Sequence, residues 1–191
     1  IIFSGHGGQG VLELASNVCY FELLKGRHVA YTPSYGPESR GGKVKCYVVI
    51  SDQEIDSPIV EQPDYLVVMN APSMDYTGLL RKGGTLFMNS SLIALAPSRD
   101  DIQTIKIPAT EIAAALKDSS TPEIQDTQIA ANSVMLGAYL GVTENYLDDQ
   151  VLKSVFGHFL VDRKAVYIPL NMSAALKGYQ FIQKIAPRLS P

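Results

Sequence analysis

The segment "GHGGQG", Gly5–Gly10, constrains this chain more than any other. Four glycines in six residues stand between the apolar run Ile1–Ser4 and a stretch whose apolar residues recur at helical spacing: Val11, Leu14, Ala15, Val18, Phe21 and Leu24. A strand that turns into a helix through glycines is the opening unit of an α/β sheet. Such a corner sheds side chains for one of two reasons. Either the helix packs closely on the sheet, or backbone N–H groups must approach an anion that the helix N-terminus also favours. The pattern G-x-G-x-x-G, taken alone, admits both.

The remaining chain keeps the alternation. "HVAYTPS" (28–34), "VKCYVVIS" (44–51), "PDYLVVMN" (63–70), "GTLFMNSS" (84–91) and "IQTIKIP" (102–108) read as strands, the second of them as a strand or hairpin arm. Helices are predicted for 11–24, for "SMDYTGLLRKG", for "ATEIAAALK" with Thr110 as cap and for "IAANSVMLGAYLGV" (129–142). Two more are predicted, for "TENYLDDQVLKSVFG" opened by Thr143 and for the terminal stretch 171–185. Ser119–Gln128, polar and containing Pro122, reads as a surface excursion. This order predicts an α/β protein, a three-layer α/β/α arrangement around a Rossmann-like, mostly parallel sheet. With no internal repeat and no clear linker, residues 1–191 are expected to form a single domain.

Composition narrows the function. Hydrophobic residues make up 46% and charged residues 18%, a balance suited to a compact core rather than to disorder. A net charge of −3 and the lack of any basic stripe interleaved with aromatics argue against a nucleic-acid or membrane-surface binder. There is no signal peptide and no long uncharged apolar run. Cys19 and Cys46, neither in a CxxC, read as reduced, buried thiols of a cytoplasmic protein. An iron–sulfur cluster needs about four thiolates, so two cysteines cannot hold one. The chain begins directly in a strand, which predicts that native residues precede it.

A dinucleotide site would place an acidic residue at the end of the second strand, roughly 20 residues after the glycines. Here that region is "HVAYTPSYG", with no Asp or Glu before Glu38. A P-loop would need Gly-Lys-Ser/Thr, which is missing. The second strand leads instead into "TPSYGPESRGG" (32–42), a loop shaped by Pro33, Gly36, Pro37, Gly41 and Gly42 and displaying Tyr35, Glu38, Ser39 and Arg40. Strands that run the same way put their exit loops at one sheet edge, so the two glycine-rich loops are expected to share a crevice there. Arg40 could then meet phosphate oxygens with its forked donors, with Lys43 and Lys45 adding charge. The alternative is a plain surface loop.

Other polar positions are weaker candidates. His6 could serve as an acid or base but has no evident nucleophile beside it; Ser4 and Ser16 lack a neighbouring base. Asp100/Asp101 and Asp148/Asp149 read as solvated helix starts. Asn70 and Asn89–Ser91, at strand ends, suit either ligand contacts or helix caps. Asn132, inside an apolar helix, must be satisfied by a hydrogen bond if buried.

Seven segments occur in order: "GHGGQGV", "PSYGPESRGG", "VVISD", "SPIVEQPDYLVVMN", "GGTLFMNSSLI", "IPATEIA" and "ANSVMLGA". Together they resemble the gamma subunit of 2-oxoacid:ferredoxin (acceptor) oxidoreductases, from residue 1 to about residue 142 and more weakly beyond. The resemblance implies a complex that decarboxylates a 2-oxoacid on thiamine diphosphate, passes electrons through iron–sulfur clusters to ferredoxin and forms an acyl-CoA. Thiamine diphosphate and the clusters would lie on alpha, beta or delta partner subunits. The gamma chain would pack against them and help form the coenzyme A site, here through Gly7, Gly8, Gln9 and Gly10 and through Glu38, Ser39, Arg40 and Gly41. Alone it would be inactive. "SYGPESRGG" resembles the 2-oxoglutarate or branched-chain group more than the pyruvate enzymes. Two features depart from the family pattern. The 119–128 excursion is longer than the usual connection, and Gln128-Ile129 stands where a basic residue is typical.

Overall fold

The computed structural model of the chain describes residues 1–35, 42–116, 127–144 and 146–185. These fall into two compact units, one spanning Ile1–Lys106 and the other running from Ile107 onward.

The first unit is built on a sheet. Its strands are β1 (Ile2–His6), β2 (His28–Tyr35), β3 (Lys43–Ser51), β4 (Tyr65–Val68), β5 (Thr85–Asn89) and β6 (Gln103–Ile107), in the order β2-β3-β1-β4-β5-β6. β1 pairs parallel with β4, and β4 with β5. β3 pairs antiparallel with both β1 and β2. Hence β2, β1, β4 and β5 all point the same way, and β3 runs against them. The reversal has a simple cause. A parallel neighbour needs a crossover of a dozen or more residues, and only seven separate Tyr35 from Lys43. The stretch 44–51 is therefore a hairpin arm.

The central strands β1, β4 and β5 are buried on both faces, as their near-continuous apolar runs require, while β2 is largely exposed. Ile2, Leu66, Val68, Leu86 and Met88 point to one side and form a cluster with Leu80 and Ile93, joined by Tyr47, Val60, Met74, Tyr76 and Ile102. Phe3, Cys46, Val67 and Phe87 alternate with them and are also buried. Helix α1 (Val11–Leu24) packs on β1, β2 and β3 through Val11, Leu14, Ala15, Val18 and Phe21. Its buried Glu22 is paired with Arg27 at 3.4 Å, and Arg27 reaches Asp52 at 2.9 Å; this ties the end of α1 to the start of β2 and the end of β3.

The segment predicted as a helix after β4 is a 3₁₀ helix, Ala71–Leu79. Asn70 caps it, accepting from Ser73 N at 3.1 Å. Its far end is held by Arg99, whose Nη1 donates to Thr77 O at 3.0 Å and Leu80 O at 2.6 Å. Arg99 also forks onto Asp101 with two bonds of 2.7 Å. Asp101 thus belongs to a loop clamp before β6, not to a helix start. Arg99 in turn holds the Asp101 carboxyl below the usual carboxylate range.

The second unit is helical: α2 (Ala109–Ala114), a 3₁₀ turn Thr127–Ala130, α3 (Ala131–Thr143), α4 (Asp149–Phe159), a 3₁₀ segment Asp162–Tyr167 and α5 (Ile168–Ile185). Two caps differ from expectation. Thr110 lies inside α2, whose N-cap is Pro108, and Thr143 ends α3 instead of opening α4. Asp148 caps α4, accepting from Gln150 N at 2.7 Å and Val151 N at 3.4 Å, because an Asp side chain reaches the first-turn donors that a residue five positions earlier cannot. Residues 131–140 of α3 are buried throughout. α3 and α5 meet backbone to backbone: a Cβ on Gly137 would sit 1.7 Å from Ala175 O, and one on Gly178 would sit 2.0 Å from Val134 O. Ser133 Oγ bonds Asn171 Oδ1 at 2.5 Å inside this crossing, and Asn132 Oδ1 accepts from Ser133 N at 2.9 Å.

Candidate functional site: the glycine corner after the first strand

The corner is assembled from the exit of β1, the start of α1 and the ends of β2, β3 and β4, all in the first unit. Its shape follows from glycine. Gly8 has φ 96° and Gly10 has φ 68°, backbone that L side chains rarely adopt. Gly10 is the N-cap of α1, so no side chain covers the first turn, and α1 starts with Leu14 N donating to Gly10 O at 2.9 Å. His6, Gly7 and Gly8 are exposed, Gln9 and Gly10 half-buried.

The ends of β1 and β2 lie at one edge of the sheet. His6 lies opposite Lys43 and Tyr35 opposite Val44, so the exits of β1 and β2 flank the entry of β3. Gly7 N donates to Gly42 O at 3.1 Å across the gap. Glu38, Ser39, Arg40 and Gly41 lie outside the described residues, as do Ser119–Asp126. The corner's N–H groups are not all available to a ligand: Gly7 N is used on Gly42, and Gln9 N donates to His6 O at 3.2 Å. Among the described residues nothing pairs with Gly8 N.

Three side chains define the surroundings. His6 Nδ1 lies 2.9 Å from Gly7 O; a carbonyl only accepts, so Nδ1 is the donor in this contact. Lys43 pairs with Asp75 at 2.9 Å. Lys45 stands over the rings of Tyr47 and Tyr76, 5.2 Å from each centroid, and its hydrogen bond to Tyr47 raises its pKa. The corner is therefore polar and cationic, without an acid at the ribose-binding position.

Beneath it runs a buried polar string that the residue pattern alone does not reveal. Ser4 Oγ donates to Ser73 Oγ at 3.0 Å, and Ser73 Oγ donates to Asn70 Oδ1 at 2.7 Å. Asn70 Nδ2 donates to Gln9 Oε1 at 3.2 Å. The only hints in the sequence are a Ser inside an otherwise apolar strand and an Asn at a strand end. Asn70 acts as a cap, one of the two roles open to it.

Among the described residues no three His, Cys, Asp or Glu side chains gather. Cys19 and Cys46 are buried free thiols, pushed up to about 12 and about 11 by desolvation. Two cysteines also fall short of the thiolates an iron–sulfur cluster needs. Among the described residues no helix is long and apolar enough to cross a membrane.

A mostly parallel α/β sheet whose first βα corner is stripped to glycine defines the Rossmann-like class of domains that seat anionic ligands at a sheet edge. Within that class the family is specific. The chain belongs to the pyruvate ferredoxin/flavodoxin oxidoreductase family, whose model matches residues 1–181. It is 33% identical over 182 residues to the ketoisovalerate oxidoreductase subunit VorA of Methanothermobacter marburgensis, covering 95% of this chain and 36% of that one. This chain thus spans about a third of the length of the VorA relatives it matches. It is 33% identical over 189 residues to the 2-oxoglutarate synthase subunit KorC of Methanocaldococcus jannaschii, covering 97% of this chain and 94% of that subunit. The keto/oxoacid ferredoxin oxidoreductase gamma subunit of Geobacter sulfurreducens superposes with a TM-score of 0.73 at 28% identity, over 96% of this chain and 97% of that one. The expected α/β fold is therefore established.

Proposed function

We propose that this chain is the gamma subunit, or gamma-type part, of a 2-oxoacid:ferredoxin oxidoreductase that converts a 2-oxoacid to an acyl-CoA. Its corner Gly7–Gly10, with the segment Glu38–Gly41, would form part of the coenzyme A seat. The observation that supports this reading is the Gly7–Gly42 contact, which joins the glycine corner to the residue just before β3. The corner supplies a side-chain-free helix start, and Arg40 would add a guanidinium for phosphate. A fold neighbour from Magnetococcus marinus, 17% identical with a TM-score of 0.73, is a 2-oxoglutarate:ferredoxin oxidoreductase with 2-oxoglutarate, coenzyme A and succinyl-CoA bound.

In this reading thiamine diphosphate and iron–sulfur clusters reside on alpha, beta or delta subunits, ferredoxin accepts the electrons, and the complex is cytoplasmic. The thiamine cofactor supplies the decarboxylation; this chain binds and orients the thiol carrier. The substrate class is 2-oxoglutarate or a related branched-chain acid, in line with relatives named for ketoisovalerate and 2-oxoglutarate. A match across residues 1–181 supports treating the chain as one gamma-type domain. The test is Arg40→Ala in the reconstituted complex. A raised KM for coenzyme A with kcat retained supports the seat. An unchanged KM with impaired assembly assigns the loop to subunit packing instead.

A further inference from the structure

The Gln9 carboxamide makes three hydrogen bonds, each to the protein itself. Oε1 accepts from His6 N at 3.0 Å and from Asn70 Nδ2 at 3.2 Å; Nε2 donates to Met69 O at 3.3 Å. Oε1 thereby receives a donor from the end of β1 and another from the end of β4. The orientation of both amides is fixed. Ser73 directs its N–H and its hydroxyl at Asn70 Oδ1, at 3.1 and 2.7 Å, so Asn70 can offer only Nδ2 to Gln9. Gln9 must then present Oε1, which is also what His6 N requires. Space for this arrangement exists because residue 5 is glycine: a Cβ there would lie 2.7 Å from Gln9 Oε1 and 3.0 Å from Met69 Cβ.

We infer that Gln9 is a positioning residue of the glycine corner. Its amide clamps the exit of β1 onto the end of β4 and so holds Gly7 and Gly8 in the shape an anion would meet. The clamp stands on the geometry alone; its consequence for coenzyme A rests on the proposed seat. Both lone pairs of Oε1 and one of the two Nε2 N–H groups are thus engaged inside the protein.

The experiment has two readouts. Amide exchange in the full chain is compared for the unmodified protein, Gln9→Ala and Gln9→Glu. Gln9→Ala is expected to speed exchange at His6 about tenfold, the worth of one lost hydrogen bond, while α3 and α5 are unaffected. Gln9→Glu keeps the acceptors but loses the donor to Met69 O, so its His6 exchange is expected between those of the unmodified protein and Gln9→Ala. Unchanged His6 exchange in Gln9→Ala overturns the clamp. In the reconstituted complex Gln9→Ala is expected to raise the KM for coenzyme A about tenfold with kcat retained. If Gln9→Ala loosens the corner without moving KM while Arg40→Ala does move it, the seat survives and the positioning role falls. If neither variant moves KM, both fall.

Discussion

Gly7 donates its N–H to the carbonyl of Gly42 across 3.1 Å, joining the exit of β1 to the entry of β3. That bond ties the glycine corner to Gly42, at the edge of the sheet where β1 and β2 end and β3 begins. Next along the chain is Gly8, with φ 96° and nothing within 4 Å of where a Cβ would project.

Gly8→Ala is therefore a probe of the corner that should not disturb packing. The cost comes from left-handed backbone alone, about 1 kcal/mol of stability, read as a small shift of the urea midpoint. The added methyl sits on the exposed corner, where a closely approaching anion would meet it. In the reconstituted complex the KM for coenzyme A should rise while kcat holds. An unchanged KM would remove Gly8 from the seat.

The helix crossing of the second unit makes a paired prediction. A Cβ on Gly137 would fall 1.7 Å from Ala175 O, a contact with backbone that no rotamer change relieves. Gly137→Ala should cost about 3 kcal/mol or more in chemical denaturation. Gly157 in α4 is exposed, with nothing within 4 Å and an ordinary φ. Gly157→Ala should stabilise by about 0.5–1 kcal/mol, since alanine loses less backbone entropy in a helix. If Gly137→Ala does not destabilise, the close approach of α3 and α5 is not as described.

Much of this organisation was legible in the residues. The strand–glycine–helix opening, the six strands and the small-residue helix α3 follow from periodicity and punctuation, and the ordered motifs pointed to the family. What escaped was what local sequence does not encode. Thr143 and Asp148 are both good caps; only the chain's path decides that Asp148 faces the first turn of α4. "SMDYTGLL" has helical spacing, but the segment is a 3₁₀ helix held by Asn70 at its start and by the distant Arg99 at its end. The reversed β3 was open as strand or hairpin arm because pairing partners lie outside any sequence window. The clamp made by Gln9 was not legible because its partners, Asn70 and Met69, lie about sixty positions away.

Arg99 gives a third prediction. It links two carbonyls at the end of the 3₁₀ helix to the Asp101 carboxylate through its fork. Lysine has one ammonium and cannot serve all four acceptors in that geometry. Arg99→Lys should lower Tm by a few degrees without affecting coenzyme A kinetics. The Asp101 carboxyl is held below its ordinary value of 3.8. Its contribution is present above that value and lost as pH falls through the lowered one, so the gap between Arg99→Lys and the unmodified chain should narrow in strong acid. A gap independent of pH would place the effect in the carbonyl contacts alone.

The two thiols provide the last test. Cys19 is 6% exposed and Cys46 fully buried, and desolvation pushes them up to about 12 and about 11 from an ordinary 9.0. The thiolate is the reactive form, so at pH 8 a thiol reagent should leave the native chain unmodified and label both cysteines once urea unfolds it. The same shifts bear on stability with a definite sign. Below pH 9 folded and unfolded chains both keep these protons, and the thiols make stability no more pH-dependent. Between pH 9 and about 11–12 the unfolded chain has released protons that the folded chain retains, so stability falls as pH rises. A Cys19→Ala, Cys46→Ala double variant should lose that component of the alkaline slope. Native labelling at pH 8 at the rate of a free thiol would show that the packing of α1 against β3 opens far more readily than this burial implies.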